Sequence, residues 1–223
     1  MRYINEFFLN LIMNKGLAEV YGAMLGDGCL STYYSNFNQK QNFCTLITGH
    51  THDLMYYEKI IRPIFIREFG TKCYLRVRTE RNAILLITLK KSVFNFFTKY
   101  GFRAGKKKEI KIPKIIFQNK LLSKSCVRGI FDTDGSVYRR YSKKYNRHKR
   151  IYKHLVIQFK MNSEILIKQI KKVLGSNKIN TTRITTEKKS FVLRITEQKS
   201  VHLFMKAFKP NNPYHTERYL NNS

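Results

Sequence analysis

LAEVYGAMLGDGCL at Leu17–Leu30 and SCVRGIFDTDGSV at Ser125–Val137 decide the fold. Aligned on their terminal Asp-Gly, Gly22 falls on Gly129 and Asp27 on Asp134, a spacing of 107 residues in both cases. Apolar residues recur at helical spacing up to Gly26, so the first segment reads as a helix that ends at glycine. Two further matches lie downstream. LLITLKKSVFNFF (Leu85–Phe97) aligns with LRITEQKSVHLFM (Leu193–Met205) at a spacing of 108, and TLITGHTHDLM (Thr45–Met55) with VIQFKMNSEIL (Val156–Leu166) at 111. Near-constant spacing over three segments marks a tandem duplication of one unit of roughly 100 residues.

Each unit reads as helix, hairpin, helix, hairpin, helix. In the first, Phe43–Thr48 is a short apolar, β-branched run, and Asp53–Phe69 is helical with a kink at Pro63. Lys72–Arg78 and Ala83–Leu89 alternate around a polar turn as a hairpin, and Ser92–Tyr100 is a helix closed by Gly101. The second unit repeats this as Ile151–Lys160, Ser163–Leu174, Ile179–Thr185, Phe191–Thr196 and Ser200–Ala207. The expected fold class is α+β, with two tandem pseudo-symmetric α-β-β-α-β-β-α units. The halves are expected at residues 1–104 and 125–223. A basic linker, 105–124, joins them, and its later part is helix-compatible.

Composition excludes several classes. With 43 Lys+Arg against 14 Asp+Glu among 223 residues, the net charge is +29. Such self-repulsion usually serves a polyanion, while 43% apolar residues suffice for a core and argue against disorder. No stretch approaches the ~20 apolar residues of a membrane span, and the basic residues are spread along the chain rather than along one amphipathic helix. The N-terminal stretch does not read as a signal peptide. Cys29, Cys44, Cys73 and Cys126 form no CxxC pair, so reduced thiols are expected. Two of the segments without acidic residues stand out. Gly28–His52 is amide-rich, with Tyr33, Asn36, Asn38, Gln39, Lys40 and Gln41 as candidate DNA contacts, since amides can read adenine edges. Gly135–Ser163 is basic, with Arg139, Arg140, Lys143, Lys144, Arg147, Lys149 and Arg150 interleaved with tyrosines. Arg76, Arg78, Arg183 and Arg194, on the second hairpins, complete the candidate set.

Gly22 and Gly26 stand four residues apart on one helix face, and Gly129 and Thr133 repeat that stripe. Small residues let two helix backbones pack closely at the centre of the molecule. Each helix then ends in an aspartate. A carboxylate is disfavoured at a helix C-terminus, and two held together repel. A hard divalent cation such as Mg²⁺, or Mn²⁺ in its place, would relieve both, with the Gly26 and Thr133 carbonyls able to complete its coordination.

VYGAMLGDG and VRGIFDTDG resemble the LAGLIDADG motif of the homing endonucleases, and two copies at this spacing resemble the single-chain, two-motif branch. The resemblance spans roughly residues 15–208. It implies a pseudo-symmetric monomer whose motif helices pair and whose antiparallel sheets form a DNA-binding saddle. It implies site-specific, metal-dependent double-strand cleavage of a long, non-palindromic DNA target, with Ca²⁺ able to bind without supporting cleavage. Asp27 and Asp134 are then the metal ligands and catalytic centre, and a nearby lysine stabilises charge on phosphorus. The candidates are Lys90, Lys91, Lys160 and Lys199, with Lys91 equivalent to Lys199 in the repeated Lys-Ser-Val. The family often has glutamine or lysine where Gly49 and His50 stand. Asp132 is expected to make a structural hydrogen bond rather than bind metal.

Two rival metal readings fail. Asp132-Thr-Asp134-Gly135 resembles an EF-hand start, but its glycine comes too early and position twelve is Lys143. His50 and His52 have no third ligand nearby. No splicing-domain residues flank the motifs, so an intron-encoded form is expected over an intein. Its place would be intracellular: the cytoplasm in a prokaryote, or an organelle if the intron is organellar. An RNA maturase and a catalytically silent DNA-binding regulator are the alternatives, and retention of both motif aspartates favours the nuclease.

Overall fold

The computed structural model describes residues 12–37, 39–105, 109–140 and 154–221. Asn38 and the basic residues Lys143, Lys144, Arg147, Lys149 and Arg150 lie outside the described residues. The first half runs α1 (Lys15–Asp27), β1 (Gly28–Ser35), β2 (Lys40–His50), a 3-10 turn at Thr51–Asp53, α2 (Leu54–Tyr56), a π-helical turn at Tyr57–Ile61, α3 (Arg62–Phe69), β3 (Tyr74–Arg78), β4 (Ala83–Thr88) and α4 (Lys91–Lys99). A short helix, α5 (Lys114–Phe117), leads into the second half: α6 (Lys120–Asp134), β5 (Gly135–Arg139), β6 (Leu155–Met161), α7 (Glu164–Ser176), β7 (Thr185–Glu187), β8 (Ser190–Ile195), α8 (Gln198–Phe208) and α9 (Pro213–Leu220). Each half builds one antiparallel four-stranded sheet, ordered β1-β2-β4-β3 and β5-β6-β8-β7. The α+β class and the repeated unit are as the motif spacing requires.

Local signals set the boundaries. Asn14 caps α1 by accepting from the Leu17 N–H (2.9 Å), and Asn119 caps α6 by accepting from the N–H groups of Leu121 and Leu122. The second motif helix therefore starts at Lys120 and runs unbroken through position 125. Both motif helices leave directly into strands, at Gly28 and Gly135. Around Pro63 the chain forms the wider π turn just before the proline, which accommodates the ring and its missing N–H without a sharp bend. The strand expected at Ile179–Thr185 lies instead at Thr185–Glu187; before it Asn180 is held by Ser200 and Glu197, and Thr182 donates its N–H to the Arg194 carbonyl (2.8 Å).

The ladders also correct the alignment of the repeat. Leu30 pairs with Thr45 and Val137 with Ile157. Since Leu30 corresponds to Val137, Thr45 corresponds to Ile157, at an offset of 112 rather than 111. A one-residue slip in a strand exchanges its faces. The residue equivalent to Lys160 is thus Thr48, not Gly49.

The sheets place one face on the helices. Leu30, Ile47, Ile84 and Leu86 in the first half, and Val137, Ile157, Phe159, Leu193 and Ile195 in the second, are buried beneath the surrounding helices. Phe65, Phe69, Phe96, Phe97 and Phe102 fill the first core, and Phe131, Phe159, Phe204 and Phe208 the second. No helix among the described residues is long and apolar enough to cross a membrane.

Candidate active site

The motif helices touch backbone to backbone. A Cβ on Gly22 would stand 2.0 Å from the Cys126 carbonyl oxygen, and one on Gly129 would stand 2.1 Å from that of Glu19. These contacts are mates under the repeat, so the glycine stripe is what brings α1 and α6 together. At the far end a Cβ on Gly26 would meet Thr133 Oγ1 at 2.1 Å and Asp134 Oδ2 at 3.5 Å. The helices run parallel, and both terminal aspartates arrive at one end, Asp27 half-buried and Asp134 exposed. Thr133 donates its hydroxyl back to the Gly129 and Ile130 carbonyls (3.0 and 3.2 Å), so that hydroxyl is committed to its own helix.

Behind the carboxylates stands Tyr57, which the sequence did not single out. Its hydroxyl donates to the Thr48 carbonyl (2.8 Å), and its ring occupies the space where a Gly49 side chain would be, 2.7 Å from that Cβ. Burial raises its pKa well above the tyrosine range, and the negative charges of Asp27, Asp53 and Asp134 raise it further. Gly49 is therefore a packing glycine. The π turn begins at Tyr57.

The strand registers separate the four candidate lysines. Gly135 lies opposite Phe159, so Lys160, the next residue on β6, lies level with Asp134 on the sheet's outer face. It pairs with Glu187 at 3.3 Å. Lys90 and Lys91 follow β4 away from Asp27: Thr88 is level with Thr45, and Lys91 Nζ reaches the Phe43 ring at 4.9 Å, on the helix side. Lys199 likewise sits past the end of β8, where Gln198 brackets Leu155, which is level with Arg139.

The outer sheet faces carry most of the described DNA-contact candidates. Tyr33 is half exposed opposite Asn42, Asn36 and Gln39 lie in the exposed β1–β2 turn, and Lys40 shares Tyr33's face. Arg76 and Arg78 line β3 beside Leu85 and Ala83. On the second sheet Arg194 pairs with Glu187 and donates to Gln158 (2.8 Å), which also accepts from Tyr138 (3.2 Å). Arg183 is exposed before β7, and Arg140 at the end of β5. Two residues point elsewhere. Gln41 takes the helix-side register, and Arg139 pairs with the buried Leu155 and donates to the Asn221 carbonyl (3.5 Å).

A buried polar junction joins the halves. Asp132, fully buried, accepts from the N–H groups of Asn211 (2.9 Å) and Asn212 (3.2 Å), which agrees with a structural role. Burial pushes it up to about 8, against those two donors. Asn212 Nδ2 donates both to Asp53 (2.7 Å) and to the Asp132 carbonyl (2.8 Å), so the start of α9 ties one half to the other. Asp53 also accepts from the His50 N–H (3.1 Å), and His50, His52 and Tyr214 stack at 4.0 and 3.8 Å. The Asn-Asn-Pro sequence at 211–213, a capping signal, could have announced α9, but it has no counterpart in the first half.

Residues 123–208 match the family model for a LAGLIDADG-like domain. A mesophilic variant of the homing endonuclease I-DmoI matches the structure with a TM-score of 0.61 at 15% identity, over 87% of this chain and 96% of that one. I-DmoI solved with DNA and Mn matches equally, and it has also been solved with DNA and Ca. A variant of I-SmaMI gives 0.62 at 12%, over 94% and 89%. The LAGLIDADG meganuclease I-AabMI, bound to uncleaved DNA, gives 0.60 at 9%, over 93% and 88%. No curated protein matches the chain. Residues 123–208 are thus similar to a LAGLIDADG-like domain, and the two halves together have the LAGLIDADG homing endonuclease fold.

Proposed function

We propose that the chain is a site-specific double-strand DNA endonuclease that hydrolyses phosphodiester bonds with a divalent metal. It acts as a monomer on a long, non-palindromic duplex. The observation that carries this reading is the delivery of Asp27 and Asp134, by two glycine-locked helices, to one end of the molecule beside the outer faces of two sheets. The residues present fit a hard cation. Two carboxylates stand at the negative ends of two helices, and Asp134 Oδ2 closely approaches the neighbouring helix at Gly26. Among the described residues no group of three or more His, Cys, Asp or Glu could hold a metal. The Gly26 and Thr133 carbonyls, water and the DNA phosphate would therefore complete the shell. When bound, Mg²⁺, or Mn²⁺ in its place, lowers the pKa of an attacking water and offsets charge on the leaving oxygen.

The chain's own residues do the rest. Asp27 and Asp134 hold the site, and Tyr57 and Gly49 set its floor. Lys160, level with Asp134, exchanges Glu187 for the phosphate as DNA seats and stabilises the charge that develops there. Tyr33, Asn36, Lys40, Arg76 and Arg78 contact one half-site, and Arg183 and Arg194 the other. The intron-encoded origin and an intracellular or organellar location belong to the same reading, as does the division at 1–104 and 125–223.

A cleavage screen against intron-less insertion sites supplies the substrate. On it, Asp27→Asn and Asp134→Asn should each slow double-strand cleavage ~10²-fold or more while duplex binding persists. Full cleavage by the double Asn variant in Mg²⁺ would end the proposal.

A further inference from the structure

The helix ends remote from the aspartates carry a second basic surface. α1 and α6 run parallel, so their N-termini meet about 20 Å from Asp27 and Asp134. Lys15 opens α1, Lys120 opens α6, Lys124 lies one turn on, and Lys209 follows α8. Burial holds the Lys124 ammonium below the usual lysine range, and the charges of Arg128, Lys120, Lys209 and Lys15 lower it further, so these cations face one another. None of the four lysines takes part in the ion pairs formed among the described residues. Segments 110–131 and 165–186, which supply Lys120, Lys124 and Lys172, contain no Asp or Glu, and the carboxylates near Lys15 are already engaged: Glu19 pairs with Arg128, and Glu68 with Arg67. Like charges gathered without a carboxylate partner of their own among the described residues imply an external anion.

Beside the lysines opens a pocket of about 390 Å³ between α5, α6 and α7, lined by Phe117, Gln118, Lys120, Ser123, Lys172 and Ser176. Lys172 Nζ stands 5.7 Å over the Phe117 ring. Ser123 and Ser176 donate their hydroxyls to the Lys120 and Val173 carbonyls of their own helices (3.2 and 2.9 Å), so the pocket offers an aromatic wall, two ammonium groups and an amide. A bare polyphosphate has no use for the ring or the amide, and a duplex keeps its bases stacked out of reach. An unstacked base attached to a phosphate chain uses every one of these groups.

We propose that this end of the molecule is a second nucleic-acid site, which takes a single-stranded polynucleotide with one base in the Phe117 pocket and its phosphates on Lys120, Lys124 and Lys172. The sheets remain available for duplex DNA. The site uses no residue assigned to cleavage, and it depends on the endonuclease reading only for what the sheets hold.

The test uses the full chain with fluorescent 15-nucleotide oligouridylate and oligothymidylate. Each is titrated alone and with saturating 30-base-pair duplex, with inorganic polyphosphate as a further competitor. Both oligomers, or one of them, should bind in the presence of duplex; which one does assigns the site to RNA, to single-stranded DNA or to both. Lys120→Glu with Lys172→Glu should weaken that binding at least tenfold and reduce the slope of log K against log salt by ~1.4, at ~0.7 per phosphate contact. Phe117→Ala should weaken it ~10-fold through lost stacking, with the salt slope unchanged. Duplex binding should stay at the wild-type value in both variants, and the melting temperature in the lysine variant; Phe117 also packs against the core, so Phe117→Ala lowers the melting temperature, and its intact duplex binding is what separates a lost site from a lost fold. Competition between oligomer and duplex, wild-type oligomer binding by the charge-reversed variant, or displacement by polyphosphate as effective as by oligomer would each overturn the proposal. Loss of duplex cleavage by the aspartate variants bears on the endonuclease reading alone.

Discussion

Gly22→Ala adds one methyl group at the point where the two halves meet. The new Cβ would stand 2.0 Å from the Cys126 carbonyl oxygen, and ordinary contact begins at 3.4 Å, so the helices must part by about 1.4 Å. The atom met is backbone inside a helix, and no rotamer can move it aside. Overpacking of this kind costs ~3 kcal/mol, at the upper end of its usual range, and alanine's helix preference returns ~1 kcal/mol. A net loss of about 2 kcal/mol lowers the melting temperature of a chain this size by roughly 4–8 °C. Gly175→Ala is the control. It lies in α7 with nothing within 4 Å of its Cβ, so only the propensity acts, and the melting temperature should rise by roughly 1–3 °C. Thermal unfolding followed by circular dichroism compares the two. Parting the helices also moves Asp27 relative to Asp134, and a displacement near 1 Å in a reacting geometry costs ~10²-fold in rate. If Gly22→Ala melts like Gly175→Ala and cleaves at the wild-type rate, the close backbone packing of the motif helices is refuted.

The strand register makes Lys160→Met costly, ~10²-fold in cleavage rate, and Lys91→Met nearly silent; equal losses would refute the assignment by register. Asn212→Ala removes donors to Asp53 and to the Asp132 carbonyl, leaves buried acceptors unmet, and should lower unfolding stability by ~2–4 kcal/mol in urea titration. Burial lowers His215 from 6.5 to about 4, so the unfolded chain takes up the proton first and the folded state loses stability as pH falls from 6.5 to about 4. Asp132, raised from 3.8 to about 8, has the opposite slope through that window, because its folded form holds a proton the unfolded form has released. His215→Gln should therefore flatten only the histidine's contribution, read as the difference in urea midpoint between variant and wild type at pH 4 and pH 7.

Much of this fold was legible in the sequence because the decisive signals are local. A glycine stripe followed by Asp-Gly records a close helix contact and its end in nine residues, and a second copy reports the symmetry. Strand register was less legible. VIQFKM and TLITGH align well by residue type at the wrong offset, since Val, Ile, Leu and Thr suit either face of a strand, and only the ladder shows that Thr48 is the mate of Lys160. Tyr57 gave no local sign of its place, because its role depends on the bare backbone at Gly49, eight positions away on another element. The junction built by Asn211 and Asn212 was invisible for a different reason: a segment present once, outside the repeat, leaves no internal match to notice.

The same junction explains why one chain carries both halves. Under the 107-residue repeat, Glu19 corresponds to Cys126 and Tyr21 to Arg128. On one side of the helix pair Glu19 is buried and ion-paired to Arg128, with Asn211 donating to its other oxygen at 2.6 Å. On the mate side burial raises the Tyr21 hydroxyl and the neighbouring Cys126 thiol raises it further, so those positions also meet, without a charge pair. An isologous dimer must repeat every contact twice; here one side is ionic and the other neutral, an arrangement open only to a fused and diverged duplicate. Glu19→Met alone would leave Arg128 uncompensated in a site where its side chain is 23% exposed. The cost should be about 3 kcal/mol, the low end for a broken buried pair. Glu19→Met with Arg128→Met turns this side apolar and should restore most of that loss, since well-packed apolar replacements of buried pairs are often neutral. Urea unfolding of the two single variants and the double variant closes the cycle. Additive losses would show that the pair does not couple the halves, and the ionic side of the junction would then contribute nothing to holding the two aspartates in register.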